Sequence, residues 1–292
     1  MRELKYIAEI VDRLTFPELV IEIDKLGLKN ISAYKIEKGT NIYRARPTNN
    51  VKFNNVNELS YNPWPKRIDR ASTPSSPVFY GAISTKPEDY PMITNFAELN
   101  QILRVKTTES DEQEIAIAEF EVIDEFMTAA LIFNKDFLIK NKQYETLYNQ
   151  VRQVSSDNNN SDFSILEFFS DLFSYDEENK GLDYRITSAI TNWIFETNEQ
   201  IEAILYPSVR LDGEGTNIAI HPITVNTKLE CKRIVVAKIY LKDKFVINDY
   251  ISKADKINSD GSFELIDIKE FPDHLGKEYC LKKLNEMINA KS

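Results

Sequence analysis

Short apolar runs scattered among segments of helical periodicity, with no regular alternation between the two, constrain this chain more than any other feature. VFYGAI (78–83), EIAIAEFEV (114–122), AILYPSV (203–209), NIAI (217–220), RIVVAKIYL (233–241) and KFVIND (244–249) have the length and β-branched content of strands. Between them lie helical patterns. Leu4, Ile7, Val11 and Leu14 form one amphipathic stripe, and Thr15, Pro17 and Glu18 open a second helix that carries Leu19, Ile23 and Leu26 and stops at Gly27. Thr94 is placed to cap a helix through Phe96, Glu98 and Ile102. FSILEFFSDLF (163–173), RITSAITNWIFET (185–197) and a closing segment at 276–290 repeat the helical spacing, and SSDNNNSD (155–162) reads as a surface loop. Strands and helices mixed in this way predict an α+β fold rather than a βαβ repeat. The expected division is a helical hairpin over 1–34, a main domain over 35–250, and a C-terminal segment over 251–292 that ends in a helix.

Charge narrows the function. Forty-six acids against 36 bases give a net charge of −10, so the long-range field repels phosphate polymers. This speaks against direct binding of nucleic acid or of an anionic membrane. Residues 35–70 break the pattern. Lys35, Lys38, Arg44, Arg46, Lys52, Lys66, Arg67 and Arg70 face only Glu37, Glu58 and Asp69 in a stretch rich in asparagine and proline. That composition predicts irregular backbone presenting cations, a local island for a small anion.

Several chemistries have no sequence basis. There is no GxGxxG, GxxxxGK[ST] or GxSxG, and His221 and His274 flank no HExxH, so no metal or prosthetic group is expected. Cys231 and Cys280 stand outside any paired motif, the N-terminus is charged rather than apolar, and no run approaches the ~18 residues of a membrane span. A cytoplasmic protein is the expectation.

Three segments carry positive signal. NIYRARP (41–47) sets Arg44 and Arg46 at i and i+2, which on a strand share a face and can clamp one anion. RASTPSSPVFYGAIS (70–84) places Arg70 ahead of Tyr80, with Glu98 downstream. ILYPSVRLDGEGTNIAI (204–220) runs from a strand into Tyr206-Pro207-Ser208 and on to Asn217. Taken one at a time, these are a surface arginine, a core tyrosine, a solvated glutamate and a turn serine.

Their joint order resembles the RES family, named for its Arg, Glu and Ser, the toxin part of many bacterial toxin–antitoxin pairs. YPSVRLDGEGTNIAI is the most similar stretch, YRITSAITNWIFET resembles the helix before it, and the likeness covers about residues 40–250. The family's first arginine maps to Arg44, with Arg46 the competitor and support; its glutamate maps to Glu98, with Glu88 the competitor.

The resemblance implies an ADP-ribosyltransferase-like split β-sheet flanked by helices, with NAD as substrate rather than as a bound cofactor. It implies that Arg44 and Arg70 hold the pyrophosphate and Tyr80 stacks on nicotinamide. Glu98 would face the ribose cation, Ser208 would bond the ribose or orient Arg44, and Asn217 would brace the Ser208 turn. A small antitoxin partner follows from the resemblance alone. The implied activity is breakage of the nicotinamide–ribose bond by water or phosphate. Transfer of ADP-ribose to a protein by the same site is one alternative, and a non-catalytic module docking an acidic partner through residues 35–70 is another.

Overall fold

The computed structural model describes residues 10–84, 91–99, 111–157, 162–174, 184–211, 215–242, 245–269 and 274–290. The strands are β1 Ala33–Ile36, β2 Asn41–Pro47, β3 Phe79–Ile83, β4 Asp111–Val122, β5 Phe126–Ala130, β6 Ile201–Pro207, β7 Thr216–Ile220, β8 Leu229–Lys242, β9 Phe245–Ala254 and β10 Ile266–Asp267. They form a ten-stranded sheet in the order β1-β5-β6-β7-β3-β2-β4-β8-β9-β10. The α-helices are α1 Phe16–Asp24, α2 Pro91–Leu99, α3 Lys135–Lys140, α4 Glu145–Asp157, α5 Asp162–Phe173, α6 Tyr184–Thr197, α7 Pro222–Lys228 and α8 Lys277–Asn289. The protein is therefore mixed α and β. No described helix is long and apolar enough to cross a membrane.

Only β5 and β6 pair in parallel; every other described ladder is antiparallel. A parallel pair cannot be closed by a tight turn, and the connection from β5 to β6 accordingly carries α3 to α6. Its apolar stripes bury one face of the sheet: Phe169, Phe173, Ile186, Ile190 and Ile194 pack on Ala129, Ile204 and Ala219. Leu19 and Ile23 of α1 join the same core. Helix α1 starts as its sequence dictates, with Thr15 N and Oγ1 both donating to Glu18 Oε2 at 2.7 Å. The opposite face holds Ile42, Phe79, Phe120, Leu205, Ile218 and Ile220.

The sheet opens between β2 and β3. Strand β2 pairs with β4 over all of Asn41–Pro47, and β3 pairs with β7 over all of Phe79–Ile83. Between β2 and β3, however, only Ile42↔Ile83 and Tyr43↔Ala82 are joined. The next pair would set Arg44 opposite Gly81. Instead the Arg44 guanidinium donates through Nη1 to the Tyr80 carbonyl, taking the place of a ladder bond. Gly81 sits where the strands are about to part: a Cβ there would lie 2.7 Å from Ile42 Cγ2 and 3.1 Å from the Tyr43 carbonyl.

Several expectations need correction. Residues 35–70 are not irregular throughout, because 41–47 is a central strand with one buried apolar residue on each face, Ile42 on one and Ala45 on the other. The loop expected at 155–162 begins as the last turn of α4, with Ser155 buried, and ends as the first residue of α5. Asp162 is buried and accepts from Lys29 N and Asn30 N at 3.1 Å and from Asn30 Nδ2 at 2.7 Å, tying the chain after α1 to the crossover. Thr94 caps nothing: α2 begins at Pro91 and Thr94 lies buried inside it. The divisions expected at 34/35 and 250/251 fall inside β1 and β9. The stripe through Leu4 and Ile7 and the competitor Glu88 lie outside the described residues; Val11–Arg13 form a 3₁₀ turn.

Asp162→Ala would strand two backbone N–H groups. It is expected to cost about 1–3 kcal/mol, read as a lower urea midpoint with an unchanged m-value.

Candidate active site

A cleft of about 920 Å³ occupies the opening, lined by Arg44 and Arg46 from β2, Tyr80 and Gly81 from β3, Arg70 from the preceding loop, and Glu98 at the end of α2. Alternation explains how these residues meet. Tyr43 and Ala45 face α2, where Asn95 Nδ2 donates to the Tyr43 carbonyl at 2.7 Å and Met92 packs on Ala45 and Ile115. Arg44 and Arg46 therefore project from the other face. Side chains from opposite faces of a sheet share a space only where its ladder is open.

Positive charge is concentrated and desolvated here. The Arg44 guanidinium lies 5.1 Å from the Phe79 ring centroid, and its buried Nε has no hydrogen-bond partner. Arg46 donates from Nη2 to the Ser60 carbonyl at 2.6 Å and also keeps a buried Nε without a partner. Burial, reinforced by Arg46, pushes Arg44 down to about 9, and burial lowers Arg46. Neither is given a carboxylate partner among the described residues. Two adjacent cations held in this way leave an anion as the natural counter-charge.

Arg70 is buried, donates to the Phe173 carbonyl at 2.7 Å, and lies 5.2 Å from the Tyr184 ring and 6.0 Å from the Tyr206 ring. Tyr80 secures the loop that carries it. Its hydroxyl accepts from Ala71 N at 2.8 Å and donates to Ser72 Oγ at 3.2 Å, while burial pushes the phenol up to about 12. Its ring borders the cleft.

Glu98 lines the same cleft as the arginines. Its Oε1 accepts from Ser208 Oγ at 2.7 Å and from Asn217 Nδ2 at 2.9 Å. Ser208, just past β6, is fully buried, and its N–H donates to the Gly215 carbonyl at 2.7 Å, which closes the turn into β7. The residues singled out in the sequence, Arg44, Arg70, Tyr80, Glu98 and Ser208, are thus brought to one place, with Arg46 beside them. The side-chain hydrogen bonds of Ser208 and Asn217 to Glu98 were not among the expected contacts. Tyr184 and Arg210 also line the cleft and were not singled out, and Arg67, named only within the basic island, joins them; Tyr184 heads the quoted 184–197 run, and Arg210 follows YPSV.

The basic island does not form one surface. Lys35 pairs with Glu37 and Glu125 at the β1 edge, whereas Arg44, Arg46, Arg67 and Arg70 border the cleft. Among the described residues no cluster of His, Cys, Asp and Glu is arranged to hold a metal. His221 Nδ1 instead accepts from Ile223 N at the start of α7, and Cys231 and Cys280 are buried free thiols.

The approach of α2 to the sheet depends on Gly215. A Cβ at that position would lie 2.4 Å from Thr94 Oγ1, and Thr94 is one helical turn before Glu98. Gly215→Ala is expected to push α2 outward and reduce turnover by at least tenfold while costing about 1–3 kcal/mol of stability. Parallel activity and thermal-unfolding measurements check this.

Comparison of the sequence with protein-family models finds no match, and no curated protein matches it.

Proposed function

We propose that this protein is an NAD-consuming enzyme of RES type that breaks the bond between nicotinamide and ribose. The observation that carries the reading is that an anchored carboxylate, Glu98, and a cluster of desolvated arginines line one cleft at an opening in the sheet. The opening between β2 and β3 suits the split sheet of the ADP-ribosyltransferase-like fold. The cleft falls within the ~300–1,000 Å³ range of small-molecule sites.

In this reading Arg44, Arg46 and Arg70 hold the pyrophosphate, where the planar guanidinium matches phosphate oxygens. Tyr80 offers its ring to nicotinamide. The C–N bond to nicotinamide breaks with its electron pair moving to the ring nitrogen, and positive charge spreads over ribose C1 and the ring oxygen. Glu98 Oε2 faces that charge and lowers its energy, because the carboxylate is oriented before the reaction begins. Water then adds at C1 and releases a proton, giving ADP-ribose; phosphate adding at C1 gives the corresponding 1-phosphate.

The deciding experiment is NAD consumption by the purified protein with product identification, with and without phosphate. Free nicotinamide appearing in step with NAD loss supports the reading, and intact NAD under both conditions overturns it. Labelled ADP-ribose carried onto a protein would instead favour macromolecular transfer. If the protein is a growth-inhibiting toxin, expression depletes cellular NAD, and a neighbouring antitoxin relieves the effect.

A further inference from the structure

We infer that Asn217 is a positioning residue for Glu98, a role distinct from substrate contact; the inference rests on the reading of Glu98 as the group that faces the ribose. A glutamate at a helix end has three side-chain torsions to restrain, and one hydrogen bond does not restrain them all. Here two donors converge on the same oxygen, Ser208 Oγ at 2.7 Å and Asn217 Nδ2 at 2.9 Å. With Oε1 held, Oε2 is the oxygen left for substrate.

Asn217 is well placed for this task. It is 4% exposed, and its backbone sits in β7 between two ladders, opposite Ala82 of β3 and Tyr206 of β6. Its amide therefore originates from one of the better-anchored backbone positions around the cleft. The chemical type matters equally. A neutral amide donor orients a carboxylate without cancelling its charge, whereas a lysine or arginine in that place would neutralise the group that must oppose a developing cation. The long separation in sequence, 119 residues, makes this a product of the fold alone.

The test compares NAD turnover by wild type, Asn217→Ala and Asn217→Asp, with ADP-ribose binding by calorimetry as the control for folding. Asn217→Ala is expected to lower kcat by about ten- to a hundredfold with KM and ADP-ribose affinity within about twofold. Asn217→Asp sets a second carboxylate against Glu98. It is expected to be worse than Asn217→Ala at pH 8 and to recover as pH falls, because two adjacent carboxylates share a proton and the protonated one donates again.

Unchanged kcat in Asn217→Ala would overturn the inference, as would a joint loss of kcat and ADP-ribose binding, or an Asn217→Asp profile that runs parallel to that of Asn217→Ala. Wild type that leaves NAD intact would remove the underlying reading as well. Active wild type with equally active Asn217→Ala removes the positioning role alone.

Discussion

Glu98→Gln is expected to lower the rate of NAD consumption by about a thousandfold, equivalent to about 4 kcal/mol of barrier at ~1.4 kcal/mol per factor of ten. The substitution is close to isosteric. Its amide oxygen can stay on Ser208 Oγ and Asn217 Nδ2, which leaves the side chain in place and puts an NH₂ group where Oε2 stood. What changes is the charge facing the ribose: a carboxylate attracts a developing oxocarbenium ion, and an amide nitrogen repels it. The loss should therefore appear in kcat, with KM and ADP-ribose affinity little altered. Steady-state kinetics with calorimetry on the same preparation check both halves. Full activity in Glu98→Gln would show that the carboxylate takes no part in the chemistry.

Arg44→Met separates binding from stability in the opposite sense. The guanidinium is desolvated, lies beside Arg46, and is lowered by both influences to about 9. It makes one bond to the Tyr80 carbonyl and leaves Nε unused. A cation buried without a counter-charge is costly, and an apolar side chain of similar length relieves that cost. Unfolding free energy is expected to stay within about 1 kcal/mol of wild type, since relief of desolvation offsets the lost hydrogen bond. Affinity for ADP-ribose is expected to fall by about 30- to 100-fold, because a charge-assisted bond to phosphate contributes about 2–3 kcal/mol. Ligand at 100 times its Kd stabilises a protein by about 2.7 kcal/mol, and the same concentration would stabilise the variant by about 0.4–0.9 kcal/mol, so the rise in unfolding temperature that ADP-ribose gives wild type should shrink to about a third or less. If Arg44→Met binds ADP-ribose normally, the pyrophosphate is held elsewhere.

The two variants probe two groups that line the cleft. In the proposed reaction the arginines from β2 and the loop before β3 act on the ground-state anion, and the carboxylate on α2 acts on the charge that appears only as the bond breaks. An enzyme gains rate from the second kind of contact and affinity from the first.

Much of this was legible in residues 114–122, 163–173, 185–197 and 217–220, where the period of apolar side chains sets strand or helix without reference to any distant part of the chain. The Thr15–Glu18 cap belongs to the same class, since both groups lie within one turn. The strand at 41–47 was not legible as such: its two buried apolar residues, Ile42 and Ala45, are three apart and leave no period-two pattern, and Arg44 and Arg46 read as surface residues until their partners are known. Helix α4 was missed for the related reason that its exposed face is polar, and serine and aspartate at its end mimic a loop.

The sequence by itself determined the local elements, the acidic balance with its basic island, and the order Arg44, Arg70, Tyr80, Glu98, Ser208. Only the tertiary structure decided that β2 and β3 part after two pairs, that Gly215 admits α2, and that Asn217 and Ser208 close on one oxygen of Glu98. Periodicity records which side of an element is buried, and that depends on neighbours three or four residues away. The site depends on contacts more than a hundred residues apart, whose geometry is set by how the strands of the sheet are ordered.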